Sequence, residues 1–208
     1  MLFIVKSYIK FLSNSTNEHG VHSPFVFDFV MKCIYDKTNY PEYEVLKNYR
    51  KFLLENKNTI EVTDFGAGSR IFKSNNREIA KIAQTAGISS KNAELLFRIV
   101  RYFQPKNILE IGTSLGLATS ALSSGNQNAE VISLEGCPQT LNQGQLQLQK
   151  FNFNNVQCLN TEFSTYFDNL KLETSNLKPQ IFDLIFFDGN HSKKATLAYF
   201  EALLPTIS

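Results

Sequence analysis

From Ser90 onward the chain alternates between short runs of Ile, Leu, Val and Phe and longer stretches whose apolar residues recur three and four apart. No other feature constrains the fold as much, because strands and helices taken in turn build a parallel sheet covered by helices on both faces. Four strands are expected, at Asn107–Ile111, Glu130–Glu135, Val156–Asn160 and Phe182–Asp188. Helices are expected near residues 115–124, 138–150 and 163–171, and from about Ser192 to Leu204. The strands lack strict polar alternation, as burial on both faces requires. Ahead of them, Leu95, Leu96, Ile99, Val100 and Phe103 mark a helix that Pro105 ends.

Residues 1–88 read as a helical N-terminal extension, a lid or dimer surface preceding a domain over 89–208. Apolar residues keep helical spacing over 2–12, 24–35, 43–54 and 77–86. Ser23 followed by Pro24 reads as an N-cap and first helical position, and Gly87 as a left-handed helix stop. Asn17–Gly20, Thr38–Pro41 and Asn56–Thr59 carry turn-forming residues. The stretch with Leu2, Val5, Ile9 and Leu12 is expected as an amphipathic helix packed on protein, and its apolar run is too short for a signal peptide or membrane span.

Composition narrows the partners. Lys and Arg number 21 against 19 Asp and Glu, with no block of either sign, so nothing resembles a nucleic-acid footprint and a small-molecule partner is expected. Cys33, Cys137 and Cys158 stand far apart and are odd in number, which suits a reducing, cytoplasmic setting better than a disulfide framework.

The chemistry concentrates at strand ends. Leu109-Glu110-Ile111-Gly112-Thr113-Ser114-Leu115-Gly116 runs from the first strand into a helix, where Gly112 permits a tight turn and the helix amides favour an anionic group. Ser133-Leu134-Glu135-Gly136 ends the second strand, and Glu135 follows Glu110 by 25 residues, a spacing suited to an acid that accepts ribose hydroxyls. Phe182–Phe187 delivers Asp188, Asn190 and His191 to the same sheet edge. The plain alternatives are a helix cap for Asp188 and a solvent-facing turn residue for His191.

Residues 90–204 resemble class I S-adenosylmethionine-dependent methyltransferases, chiefly the small-molecule O-methyltransferase branch, through SSKNAELLFRIVRYFQPKNILEIGTSLGLAT, VISLEG and FDLIFFDGNH. The resemblance implies α/β architecture: a Rossmann-like doubly wound parallel sheet, here with its C-terminal strands missing because three more would follow Pro205. It assigns Glu110, Gly112, Thr113, Ser114 and Gly116 to the methionine part of S-adenosylmethionine. Glu135 with Gly136 falls to the ribose, Thr161, Glu162 and Phe163 to the adenine, and Asp188 to the neighbourhood of the methyl group, with His191 as a second catalytic candidate. The acceptor is expected to be a hydroxyl on a small molecule, with a homodimer possible. The acid that completes a divalent-metal site in the metal-dependent branch would lie beyond Ser208, so metal use stays open. The segments NEHGVHSPFVF and DFGAGS also resemble a methyltransferase subgroup of Bacteroidetes type.

Other readings are held beside this one. A truncated, non-catalytic cofactor-binding remnant would share all of these motifs. An NAD-dependent oxidoreductase fits less well, since the turn is Gly-x-x-x-Gly and no Tyr-x-x-x-Lys pair occurs. Asp64-Phe65-Gly66-Ala67-Gly68-Ser69 imitates a cofactor turn, but a helical stretch, not an acid-ended strand, follows it; it reads as a loop over the substrate, with Arg70 and Lys73 nearby. His19 and His22 read as structural histidines.

Overall fold

The computed structural model describes residues 2–15, 17–63, 65, 72–173, 180–190 and 192–208. They form two compact units, residues 1–38 and 39–208. The first holds α1 (Leu2–Asn14) and α2 (Pro24–Phe29), which widens into a π-helical turn over Val30–Ile34. The Ser23 side chain accepts the Val26 amide at 3.4 Å and Pro24 opens α2, as the cap reading requires. Among the described residues of this unit Cys33 alone is buried, while Phe3, Ile4, Phe11 and Phe25 are exposed.

The second unit contains α3 (Glu42–Glu55), β1 (Thr59–Glu61), β2 (Asn76–Glu78), α4 (Ile79–Thr85), α5 (Ser90–Phe103), β3 (Asn107–Ile111) and α6 (Leu117–Gly125). It continues through β4 (Glu130–Glu135), α7 (Pro138–Lys150), β5 (Val156–Asn160), α8 (Phe163–Glu173), β6 (Leu184–Phe187) and α9 (Lys193–Leu203). The four later strands form one parallel sheet in the order β5-β4-β3-β6. Its two faces explain the missing polar alternation. Ile108 and Val131 pack with Leu96, Phe97 and Leu122 of α5 and α6, whereas Leu109, Ile111, Ile132 and Leu134 pack with Phe167, Leu170 and Leu203 of α8 and α9. Every second residue thus meets a different helical layer, and both sets must be apolar.

The compact units part at Thr38: Leu46 of α3 joins the core of α5 and α6, and Tyr49, Leu53, Ile79 and Ala83 pack with Leu115, Leu117 and Leu148. Two features depart from the sequence reading. Thr59–Glu61 and Asn76–Glu78 form an antiparallel pair where a turn and a helix were expected, because three-residue strands are too short to show a period of two. Gly87 is not left-handed; its service is space, since a Cβ there would lie 2.9 Å from the Ala83 carbonyl and collide with Leu117.

The outer edge of β6 is engaged at its start. Phe182 donates its amide to Thr206 at 2.7 Å, and Ser208 donates to the Phe182 carbonyl at 3.1 Å, in a parallel bridge of Phe182 with Ile207. Among the described residues, Leu184–Phe187 has no strand on that side.

Candidate active site

Register decides which side chains meet. Ile111 pairs with Leu134 and with Phe187, and Glu135 pairs with Asn160. One step further along each strand, Asn160, Glu135, Gly112 and Asp188 form a row across the carboxyl edge of the sheet. Two residues below it on the same face lie Cys158, Ser133, Glu110 and Phe186.

The upper row is held by backbone contacts. Gly112 has φ +111°, and a Cβ there would sit 2.8 Å from the carbonyl carbon and oxygen of Asp188, so only glycine lets the two turns touch. The Gly112 and Thr113 amides both donate to the Leu134 carbonyl, at 2.9 and 3.0 Å. Glu135 is half-buried; one carboxylate oxygen accepts the Ser114 amide and the other the Cys137 amide, each at 2.9 Å. Asn160 donates to the Glu135 carbonyl at 2.9 Å and the Gly136 carbonyl at 3.0 Å, and Phe65 lies against Gly136.

In the lower row Ser133 and Glu110 are closed to solvent, while Cys158 and Phe186 are partly exposed. Glu110 is completely buried, and its Oε2 accepts hydroxyls from Thr119 and Ser133, both at 2.5 Å. Its Oε1 is buried with no hydrogen-bond partner. Burial pushes the carboxyl up to about 8; the Ser133 and Thr119 hydrogen bonds pull against that rise, and the charges of Asp188 and Glu135 add to it.

The expected site residues therefore divide. Gly112, Ser114, Glu135, Gly136 and Asp188 share the rim. Thr113 is buried with its hydroxyl 2.6 Å from that of Ser133, so its side chain belongs to the lower network. Gly116, at φ +78°, starts α6 beneath Tyr49, whose hydroxyl donates to the Leu115 carbonyl at 2.8 Å. Phe163 packs on Gly189 and meets the Tyr199 ring edge-on at 5.8 Å; Glu162 is exposed. Thr161 donates its amide to the Glu135 carbonyl at 3.1 Å. Asn190, at φ +44°, donates to the Tyr199 hydroxyl at 3.3 Å. His191, Asp64, the 66–69 loop and Arg70 lie outside the described residues, and Lys73 is exposed. His19 is exposed, 3.8 Å from Glu18. Among the described residues no three His, Cys, Asp or Glu side chains gather as metal ligands.

Thr119 and Ser133 were not assigned roles from sequence. Their signal is a hydroxyl in the apolar surroundings of LATSAL and VISLE, which needs a polar partner once buried.

Several observations suit S-adenosylmethionine. Glu110 keeps a buried, unpartnered oxygen, and the rim carries two acids, Glu135 and Asp188. A cationic ligand with vicinal hydroxyls matches this donor and charge set.

A parallel sheet with a glycine turn ending its central strand and acids ending both neighbours defines an open α/β small-ligand domain. More narrowly, residues 109–208 match the Methyltransferase domain family. Similar folds occur in an SAH-bound methyltransferase from Podospora anserina (TM-score 0.59, 19% identity, 93% of this chain and 68% of that one). An SAH complex of the O-methyltransferase from Bacillus cereus is also similar (0.53, 21%, 86% and 70%). So is the O-methyltransferase TomG of Streptomyces achromogenes, involved in tomaymycin synthesis and bound to SAM (0.54, 17%, 88% and 67%). The chain thus spans about two thirds of the length of each. No curated protein matches it in sequence.

Proposed function

We propose that the chain is an S-adenosylmethionine-dependent methyltransferase acting on a hydroxyl of a small molecule. The row of Glu135, Gly112 and Asp188 at the carboxyl edge of a methyltransferase-family domain carries this reading. The SAM- and SAH-bound neighbours of the same fold support it.

When bound, the cofactor supplies a methyl group on a positively charged sulfur. Glu135 accepts ribose hydroxyls while the Ser114 and Cys137 amides fix its carboxylate. Gly112 and Ser114 give the methionine part access to the backbone, with Glu110 two residues below on the same strand. Glu162 and Phe163 border the adenine. Asp188, with His191 as second candidate, takes the acceptor's proton, and the fixed turns align the acceptor for in-line displacement. We assign the exposed apolar side chains of α1 to a homodimer surface. No described helix is long and apolar enough to cross a membrane.

Isothermal titration with S-adenosylmethionine and with NAD tests the cofactor. Saturable binding of the first alone is expected, and Glu135→Ala should weaken it by about 1.5 to 3 kcal/mol, the scale of hydrogen bonds to a charged group. Unchanged affinity in the variant, or binding of NAD instead, would overturn the assignment.

A further inference from the structure

Tyr49 is fully buried in α3, and its hydroxyl donates to the Leu115 carbonyl at 2.8 Å. The two residues are 66 apart in the chain, so a distant helix reaches the cofactor turn. The matched domain begins at residue 109, and the donor comes from outside it. Within EYEVLKNYRKFLLE a tyrosine reads as one more core residue, so nothing in the sequence singles it out.

The turn needs such a hold. Ser114 is a non-glycine residue at φ +47°, between Gly112 at +111° and Gly116 at +78°. The left-handed region disfavours a residue with a Cβ, so the turn keeps this shape only where its surroundings fix it. Gly116 donates its amide to the Thr113 carbonyl at 2.8 Å and closes the turn. A Cβ on Gly144 of α7 would lie 2.8 Å from the Ser114 carbonyl oxygen, so α7 backs that peptide closely. Tyr49 holds the next carbonyl, that of Leu115. With the peptides after Ser114 held in this way, its amide meets Oε2 of Glu135 at 2.9 Å.

The tyrosine is itself fixed. Its ring meets Phe151 edge-on at 5.2 Å and Phe153 at 5.9 Å, and its backbone carbonyl accepts from Gln147 Nε2 at 3.4 Å. A Cβ on Gly116 would collide with the Tyr49 hydroxyl, so the phenol rests directly on the turn. Burial, with the Glu110 charge adding to it, raises the phenol well above its ordinary 10, which keeps it a donor. Phenylalanine would fill the same space and offer no donor.

We propose that Tyr49 is a positioning residue for cofactor binding: by holding the Leu115 carbonyl it keeps the Ser114 amide on Glu135, and so keeps the Glu135 carboxylate in place for the ribose. This rests on the S-adenosylmethionine reading above. The effect runs through one carboxylate, which separates it from a general loss of stability. Removing the hydroxyl costs affinity only while Glu135 is there to be positioned.

The test is a double-mutant cycle on the full chain, read by isothermal titration with S-adenosylhomocysteine. Tyr49→Phe should weaken binding about fivefold in the otherwise unaltered chain, the scale of one neutral hydrogen bond, and less than about twofold on top of Glu135→Ala. Amide NMR supplies a second readout: the Ser114 amide proton should shift upfield in Tyr49→Phe, as its hydrogen bond to the carboxylate lengthens. An equal loss of affinity in both backgrounds, unchanged affinity, or an unmoved Ser114 amide would each overturn the proposal. So would a Tyr49→Phe chain that no longer melts cooperatively, since the hydroxyl would then serve the fold and not the cofactor. Failure of the unaltered chain to bind S-adenosylhomocysteine would instead overturn the reading on which the proposal rests.

Discussion

Two rows of the same sheet edge, two residues apart along the strands, place acids in opposite circumstances. In the upper row Glu135 is half-buried and both of its oxygens hold backbone amides. In the lower row Glu110 is fully buried, receives two hydroxyls on one oxygen and leaves the other without a partner. Backbone amides are fixed dipoles that suit an ionised carboxylate, while two hydroxyls do not offset complete desolvation. An acid at a sheet edge is therefore anchored by backbone at the rim and stores charge instability on the floor. Identical residue types give no hint of which is which.

The largest effect should come from breaking the spacing between the turns. Gly112→Ala forces an alanine to φ +111° and sets its Cβ 2.8 Å from Asp188 backbone atoms. Strain and overpacking together should cost about 4 kcal/mol in urea denaturation. A loss below about 1 kcal/mol would mean that the turns are not locked together.

The floor acid should next reveal itself through pH. With its folded value raised to about 8 from an ordinary 4.5, Glu110 keeps its proton in the folded chain where the unfolded chain has lost it. Stability should therefore fall as pH rises from about 4.5 through about 8, by at most about 1.4 kcal/mol per unit. Glu110→Gln removes the titration while keeping shape and an acceptor for Thr119 and Ser133. Between pH 5 and 8 it should gain about 3 kcal/mol relative to the unaltered chain, measured as melting temperature against pH. Parallel profiles would abolish the distinction between the rows.

The smallest effect is at the opposite end of the strands, where an exposed acid behaves like the rim. Asp183 accepts the Lys106 and Asn107 amides at 2.7 and 2.9 Å, and the Asn107 hydrogen bond is the chief cause holding its carboxyl below the usual 3.8. Its contribution is present above that value and is lost as pH falls through the lowered one. Asp183→Ala should cost about 1 kcal/mol at pH 7 and progressively less below pH 4. A constant cost down to pH 2 would show that charge plays no part.

Much of this arrangement was legible before folding, because it is written in local rules. The strands at residues 107–111, 130–135 and 156–160, the cap at Ser23 and the glycine turn after Ile111 follow from side-chain periodicity and backbone preference over a few neighbours. The acids at 110, 135 and 188 were visible as strand-end residues. The short β1–β2 pair was not, since three residues carry no period, and neither was the packing that joins residues 39–88 to the sheet domain.

What the sequence by itself determined is the parallel sheet and the turn that serves its carboxyl edge. Tertiary structure decided that Glu110 is floor and Glu135 rim, that Thr113 faces inward, and that Ser133 and Thr119 meet one buried oxygen. Those outcomes depend on register and on contacts between distant segments. Desolvation and charge at a site are properties of everything packed around it, not of the residue's neighbours in the chain.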